Sequence, residues 1–98
     1  MRITIHEEPQ TSTLTLEGRV AGPLVDELVR VSRSLAASIG SKKLLVDLCG
    51  VTHMDLNGRQ VLADLHRSTG ADFVADTPMT KYFAEEAKGK KNETNGEV

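Results

Sequence analysis

Apolar and polar residues alternate at the start of the chain. Ile3 and Ile5 fall on one face against Arg2, Thr4 and His6, and Leu14 and Leu16 repeat the pattern against Thr13, Thr15 and Glu17. A period of two predicts two half-buried strands, with Pro9-Gln10-Thr11-Ser12 as the turn between them. Gly18 is expected to end the second strand. Gly22-Pro23 then opens a helix, with Leu24, Leu28, Val31, Leu35 and Ile39 as its apolar stripe and Gly40 as its stop. The run Leu44-Leu45-Val46-Asp47-Leu48 is almost continuously apolar and predicts a central strand buried on both faces. A second helix starts near Asn57, carries Val61, Leu62 and Leu65 inward, and ends at Gly70. Asp72-Phe73-Val74-Ala75 forms a short fourth strand. Thr77-Pro78 caps a third helix, with Met79, Tyr82 and Phe83 inward, that ends near Gly89. The order β-β-α-β-α-β-α predicts a single small α/β domain over residues 1–87. Its core is one mostly parallel four-stranded sheet with amphipathic helices packed on it. Residues 88–98 have almost no apolar content and are expected to form a disordered polar tail.

Composition narrows the function. The 98 residues allow one domain, and their hydrophobic fraction of 39% suffices for a single core. A net charge of −2 and only three aromatic residues, Phe73, Tyr82 and Phe83, give no footprint for nucleic acid. The single cysteine, Cys49, cannot form an intramolecular disulfide and fits a reducing compartment. The N-terminus shows no apolar signal region, and no run approaches the ~20 apolar residues of a membrane span. These features predict a cytoplasmic protein without direct membrane insertion. His6, His53 and His66 are not spaced as metal ligands, so no metal or cofactor is expected. Cys49 lacks the company of a nucleophile and reads as a small buried residue at a strand end. No nucleophile, base and oxyanion donor cluster together, so the chain is not expected to be an enzyme.

The candidate chemistry lies in Asp47-Leu-Cys-Gly-Val-Thr-His-Met-Asp-Leu-Asn-Gly58. This stretch leaves the third strand, turns at Gly50 and delivers Asp55-Leu56-Asn57-Gly58 to a helix. A strand-loop-helix junction exposes free N–H groups and a positive helix end, which suit an anion. Asn57 is a strong N-cap candidate, with Gln60 completing a capping box and Leu56 and Val61 a staple. Asp55 reads as a turn aspartate bonding its own backbone, with contact to a partner cation as the alternative. Asp47 is expected at the end of its strand, bonding loop N–H groups. Thr52 reads as a structural hydroxyl or a phosphoacceptor, and His53 as a solvated loop residue or a pH-sensitive contact.

Three pieces, Leu16-Glu17-Gly18-Arg19-Val20, Leu45 to Thr52 and Met54-Asp55-Leu56-Asn57-Gly58, together resemble the STAS domain of anti-sigma factor antagonists, across residues 3–87. The resemblance implies a bacterial signalling module that binds a kinase-like anti-sigma factor, or another regulator, and so acts in the regulation of transcription. In that family the second serine of an Asp-Ser-Ser-Gly loop is phosphorylated by the partner, which breaks the interface. Here Asp55 and Gly58 match, Leu56 replaces the first serine and Asn57 stands at the phosphoacceptor position. Ala21 replaces an aspartate found in many antagonists. The implied chain is therefore a stand-alone variant without the usual phosphoserine, docking through Arg19, Thr52, His53, Asp55, Asn57, Gly58, Arg59 and Gln60. The alternative that the resemblance carries is an accessory STAS subunit of an ABC-type lipid transporter. Self-association as a homodimer through the exposed first strand is a further expectation.

Overall fold

The computed structural model describes residues 1–89. Its elements are β1 (Arg2–Glu7), β2 (Thr11–Val20), α1 (Leu24–Ser38), β3 (Lys43–Met54), α2 (Leu56–Thr69), β4 (Asp72–Val74) and α3 (Pro78–Ala87). One four-stranded sheet has the spatial order β1-β2-β3-β4, with β1 antiparallel to β2 and the other pairs parallel. The α/β architecture is the one expected. Of the tail expected over 88–98, all but Lys88 and Gly89 lies outside the described residues.

The strand order moves in one direction across the sheet. Right-handed β2-α1-β3 and β3-α2-β4 crossovers therefore place both helices on the same face. The third helix packs against α2, β3 and β4. This corrects the expectation of a strand buried on both sides. Leu44, Val46 and Leu48 are buried under the helices, whereas Leu45, Asp47 and Cys49 on the opposite face are half-exposed. Leu14 and Leu16 of β2 join the buried layer, as do Leu28 and Leu35 of α1, Leu62 and Leu65 of α2 and Phe83 of α3.

Two strands run further than their glycines suggest. Gly18 does not end β2 and Gly50 does not turn the chain out of β3. Thr15 pairs with Asp47 and Glu17 with Gly50, so Leu16 faces the two residues Leu48 and Cys49. Gly18 then pairs with Val51 and Arg19 with His53, leaving Thr52 as a second extra residue. These bulges shift the parity of β3, so its buried positions step from 44, 46 and 48 to 51 and 54. Gly18 has a φ of +86°, a conformation that glycine adopts without steric cost, and it sits at the second bulge. Asp47 is accordingly mid-strand, although its Oδ1 does accept a backbone bond, from Cys49 N at 2.9 Å.

The helices follow the predicted spacing with local rotations. Leu24 is 46% exposed, and Val25, Leu28, Ser32, Leu35 and Ile39 form the buried stripe instead. In α3, Phe83 is buried and Met79 half-buried, but Tyr82 faces outward at 41% exposure. Thr77 caps α3 as expected, in a reciprocal capping box with Thr80. Gly70 ends α2 in the left-handed region, donating its N–H to the His66 carbonyl at 2.8 Å.

Leu48 is fully buried beside the first bulge. Leu48→Ala should lower unfolding stability by about 2–5 kcal/mol, read by urea denaturation. A loss near that of a surface substitution would contradict the described packing.

Candidate functional site

The carboxyl ends of β2 and β3 lie side by side, and α1 and α2 begin directly above them. With β3 running to Met54, the expected Gly50–Gly58 loop contracts to the single residue Asp55 between β3 and α2. Asp55 N donates to the Val20 carbonyl at 3.0 Å, which continues the ladder into the junction.

The side chain of Asp55 then fills the anion site. Its Oδ1 accepts from Gly58 N at 2.9 Å, and its Oδ2 accepts from Gly22 N at 3.0 Å. Gly22 precedes α1 and Gly58 lies in the first turn of α2, so one carboxylate serves the amino ends of two helices. Free N–H groups and the dipoles of both helices favour a negative charge there. The Gly22 bond and then the Gly58 bond hold the Asp55 carboxyl below its ordinary pKa, with smaller help from the charges of His53 and Arg19.

This corrects the capping assignment. Asp55, in extended backbone, is the N-cap of α2. Asn57 is two residues inside the helix, where its side chain cannot cap. Gln60 does not complete a box but donates to Asp64 Oδ1 at 3.2 Å. Leu56 is not folded back as a staple: it is 66% exposed. The reading of Asp55 as an aspartate bonding its own backbone holds, and the bond to Gly22 extends it across 33 residues of chain.

The remaining candidates divide into two groups. Arg19 and His53 are register partners on neighbouring strands, and both are exposed. Thr52 is exposed at the second bulge, and Asn57 and Gln60 are exposed on the first turns of α2. The Asn57 side chain makes no hydrogen bond among the described residues. Gly58 and Arg59 are engaged inside the fold. Gly58 is buried, and a Cβ there would lie 2.9 Å from Met54 Cγ and 3.2 Å from the Val20 carbonyl oxygen. Its requirement is for close helix–strand packing. Arg59 turns toward α3, with Nε 3.1 Å from Glu86 Oε1, an ion pair rather than an aligned hydrogen bond, and its guanidinium over the Phe83 ring.

Two apolar residues, Leu24 and Leu56, are also exposed at this end. The helical period assigns Leu24 to the α1 stripe and the cap pattern assigns Leu56 to a staple, and the exposure of both corrects these assignments. Cys49 is half-buried, and its thiol pKa is pushed up to about 11, first by a hydrogen bond with Asp47 and then by burial. It stays protonated at neutral pH, as a structural cysteine does.

The depressed Asp55 pKa fixes a sign. The clamp's stability is present above the unfolded carboxyl value of about 3.9 and is lost as pH falls through the lower folded value. Asp55→Asn should therefore melt at lower temperature than wild type at neutral pH, and the gap should close in acid. A gap independent of pH would contradict the charged clamp. Gly58→Ala should cost about 1–3 kcal/mol through overpacking, measured by urea unfolding.

Protein-family models and curated proteins give no match to the sequence. Solved structures do. An anti-sigma factor antagonist from Mycobacterium paratuberculosis superposes with a TM-score of 0.77 at 19% identity, over 93% of this chain and 80% of that one. The anti-sigma factor antagonist SpoIIAA in its unphosphorylated form gives a TM-score of 0.66 at 10% identity, over 83% and 79% of the two chains. The chain has the fold of the anti-sigma factor antagonists, the STAS fold.

Proposed function

We propose that the chain is a non-catalytic regulatory module that binds a protein partner through the exposed end of its sheet, without a serine phospho-switch. The observation that carries this reading is the placement of Asn57. It lies exposed on the first turn of α2, above a carboxylate that already occupies the junction's anion site.

Two features support a docking role. Arg19, Thr52, His53, Asn57 and Gln60 offer polar side chains near the same end of the fold, and Leu24 and Leu56 add apolar area beside them. A polar surface with a few apolar anchors is what a transient protein interface uses. The partner class suggested by the fold is a kinase-like anti-sigma factor, which the resemblance pairs with this end of the domain. A serine at position 57 would gain about two negative charges on phosphorylation. They would arise within two residues of the Asp55 carboxylate. Asparagine takes no phosphate, so the surface keeps one charge state and the partner meets a constitutively competent face. No helix among the described residues is long and apolar enough to cross a membrane, in keeping with a module that acts from solution.

Affinity capture with the tagged protein, followed by mass spectrometry, tests partner and face together. Wild type should retain a kinase-like anti-sigma factor. Asn57→Ala and Asn57→Asp should weaken that complex by about tenfold or more, or roughly 1.4 kcal/mol. Unchanged capture by both variants would overturn the assignment of the face. Co-purification with a membrane ATPase instead would point to the transport assembly.

A further inference from the structure

We propose that two copies of this chain pair through β1, antiparallel across a twofold axis at Thr4, to form a continuous eight-stranded sheet. The strand is the outer edge of the sheet, and no strand lies beyond it among the described residues. Five of its six residues are exposed, including Ile5 at 42%. The register with β2 runs without a shift from Arg2–Glu17 to Glu7–Ser12, so no bulge twists this edge away. It contains no proline either. An edge with these properties is a template for another strand.

The sequence of β1 makes a second copy the fitting occupant. Ile3 and Ile5 face the helix side, opposite Leu16 and Leu14, while Arg2, Thr4 and His6 face the open side. With Thr4 on the axis, Ile3 of each copy stands opposite Ile5 of the other. That covers the exposed Ile5 with an apolar neighbour twice. On the open side, Arg2 stands opposite His6 and diagonal to Glu8, which already lies 3.6 Å from His6 Nε2. Arginine and glutamate from different copies then complement each other at both ends of the pair. A slip of one residue would set the helix faces on opposite sides. A slip of two one way would bring Ile3 against Glu7, whose carboxylate is engaged with Lys42 at 2.6 Å, and a slip of two the other way would set Arg2 opposite Thr4 and diagonal to Arg2 of the other copy, away from Glu8. The register centred on Thr4 is thus selected by both faces. The same operation leaves the junction around Asp55 outside the pairing, so the dimer would present two docking ends.

Sedimentation velocity on the full chain from micromolar to millimolar concentration should show a species of twice the monomer mass that grows with concentration. Ile5→Lys should raise its dissociation constant by tenfold or more, with circular dichroism confirming that the variant folds. Thr4→Cys, combined with Cys49→Ser, should oxidise to a disulfide-linked dimer, because residue 4 meets its own copy. A monomer at every concentration would overturn the proposal. A dimer indifferent to Ile5→Lys, or one that position 4 fails to cross-link, would overturn it equally.

Discussion

Everything at the candidate docking end depends on one carboxylate. Asp55 sits where two parallel strands finish and two helices start, and it accepts a backbone N–H from each side. Without it, two helix amino ends would crowd together with their N–H groups open and their positive dipole ends adjacent. The carboxylate satisfies both at once and joins residues far apart in sequence. Because the site is already filled by a charge of the protein's own, the junction has no need of an external anion. Leu56 and Asn57 are left free to face outward, next to the clamp but outside it.

The fold was legible in the sequence because its helices and early strands obey simple periods. The failures cluster where a period breaks. In β3 the buried residues follow a spacing of two as far as Leu48 and then jump by three to Val51 and again to Met54. Each jump coincides with a bulge that no strict alternation reveals. Gly18 and Gly50, which look like strand ends, lie in the ladder. The continuous apolar run in β3 suggested burial on both faces, yet its second face is only half covered. The direction of the strand order decides that, and strand order is not written in one segment.

The strand–helix junction was legible in place but not in detail. The stretch ending in Asp55-Leu56-Asn57-Gly58 is indeed the junction, yet the capping role belongs to Asp55, two residues earlier than asparagine's preference suggested. Local propensity named the residue type best suited to a cap. The actual cap also engages a partner outside the segment, Gly22, whose N–H donates to the aspartate. Gly58 and Arg59 show the same limit. One is held by Met54 and Val20 and the other by Glu86 and Phe83. None of these tertiary neighbours is visible from helix-face patterns. Cys49, expected to be buried at a strand end, lies instead in mid-strand on the half-covered face, beside Asp47.

The clamp is most directly tested by following the Asp55 side-chain carboxyl carbon and the Gly22 and Gly58 amides by NMR through an acid titration. All three signals should move together, with one midpoint below the ordinary aspartate value of about 3.9. A Gly22 amide that does not follow Asp55, or a carboxyl that titrates at its ordinary value, would contradict it.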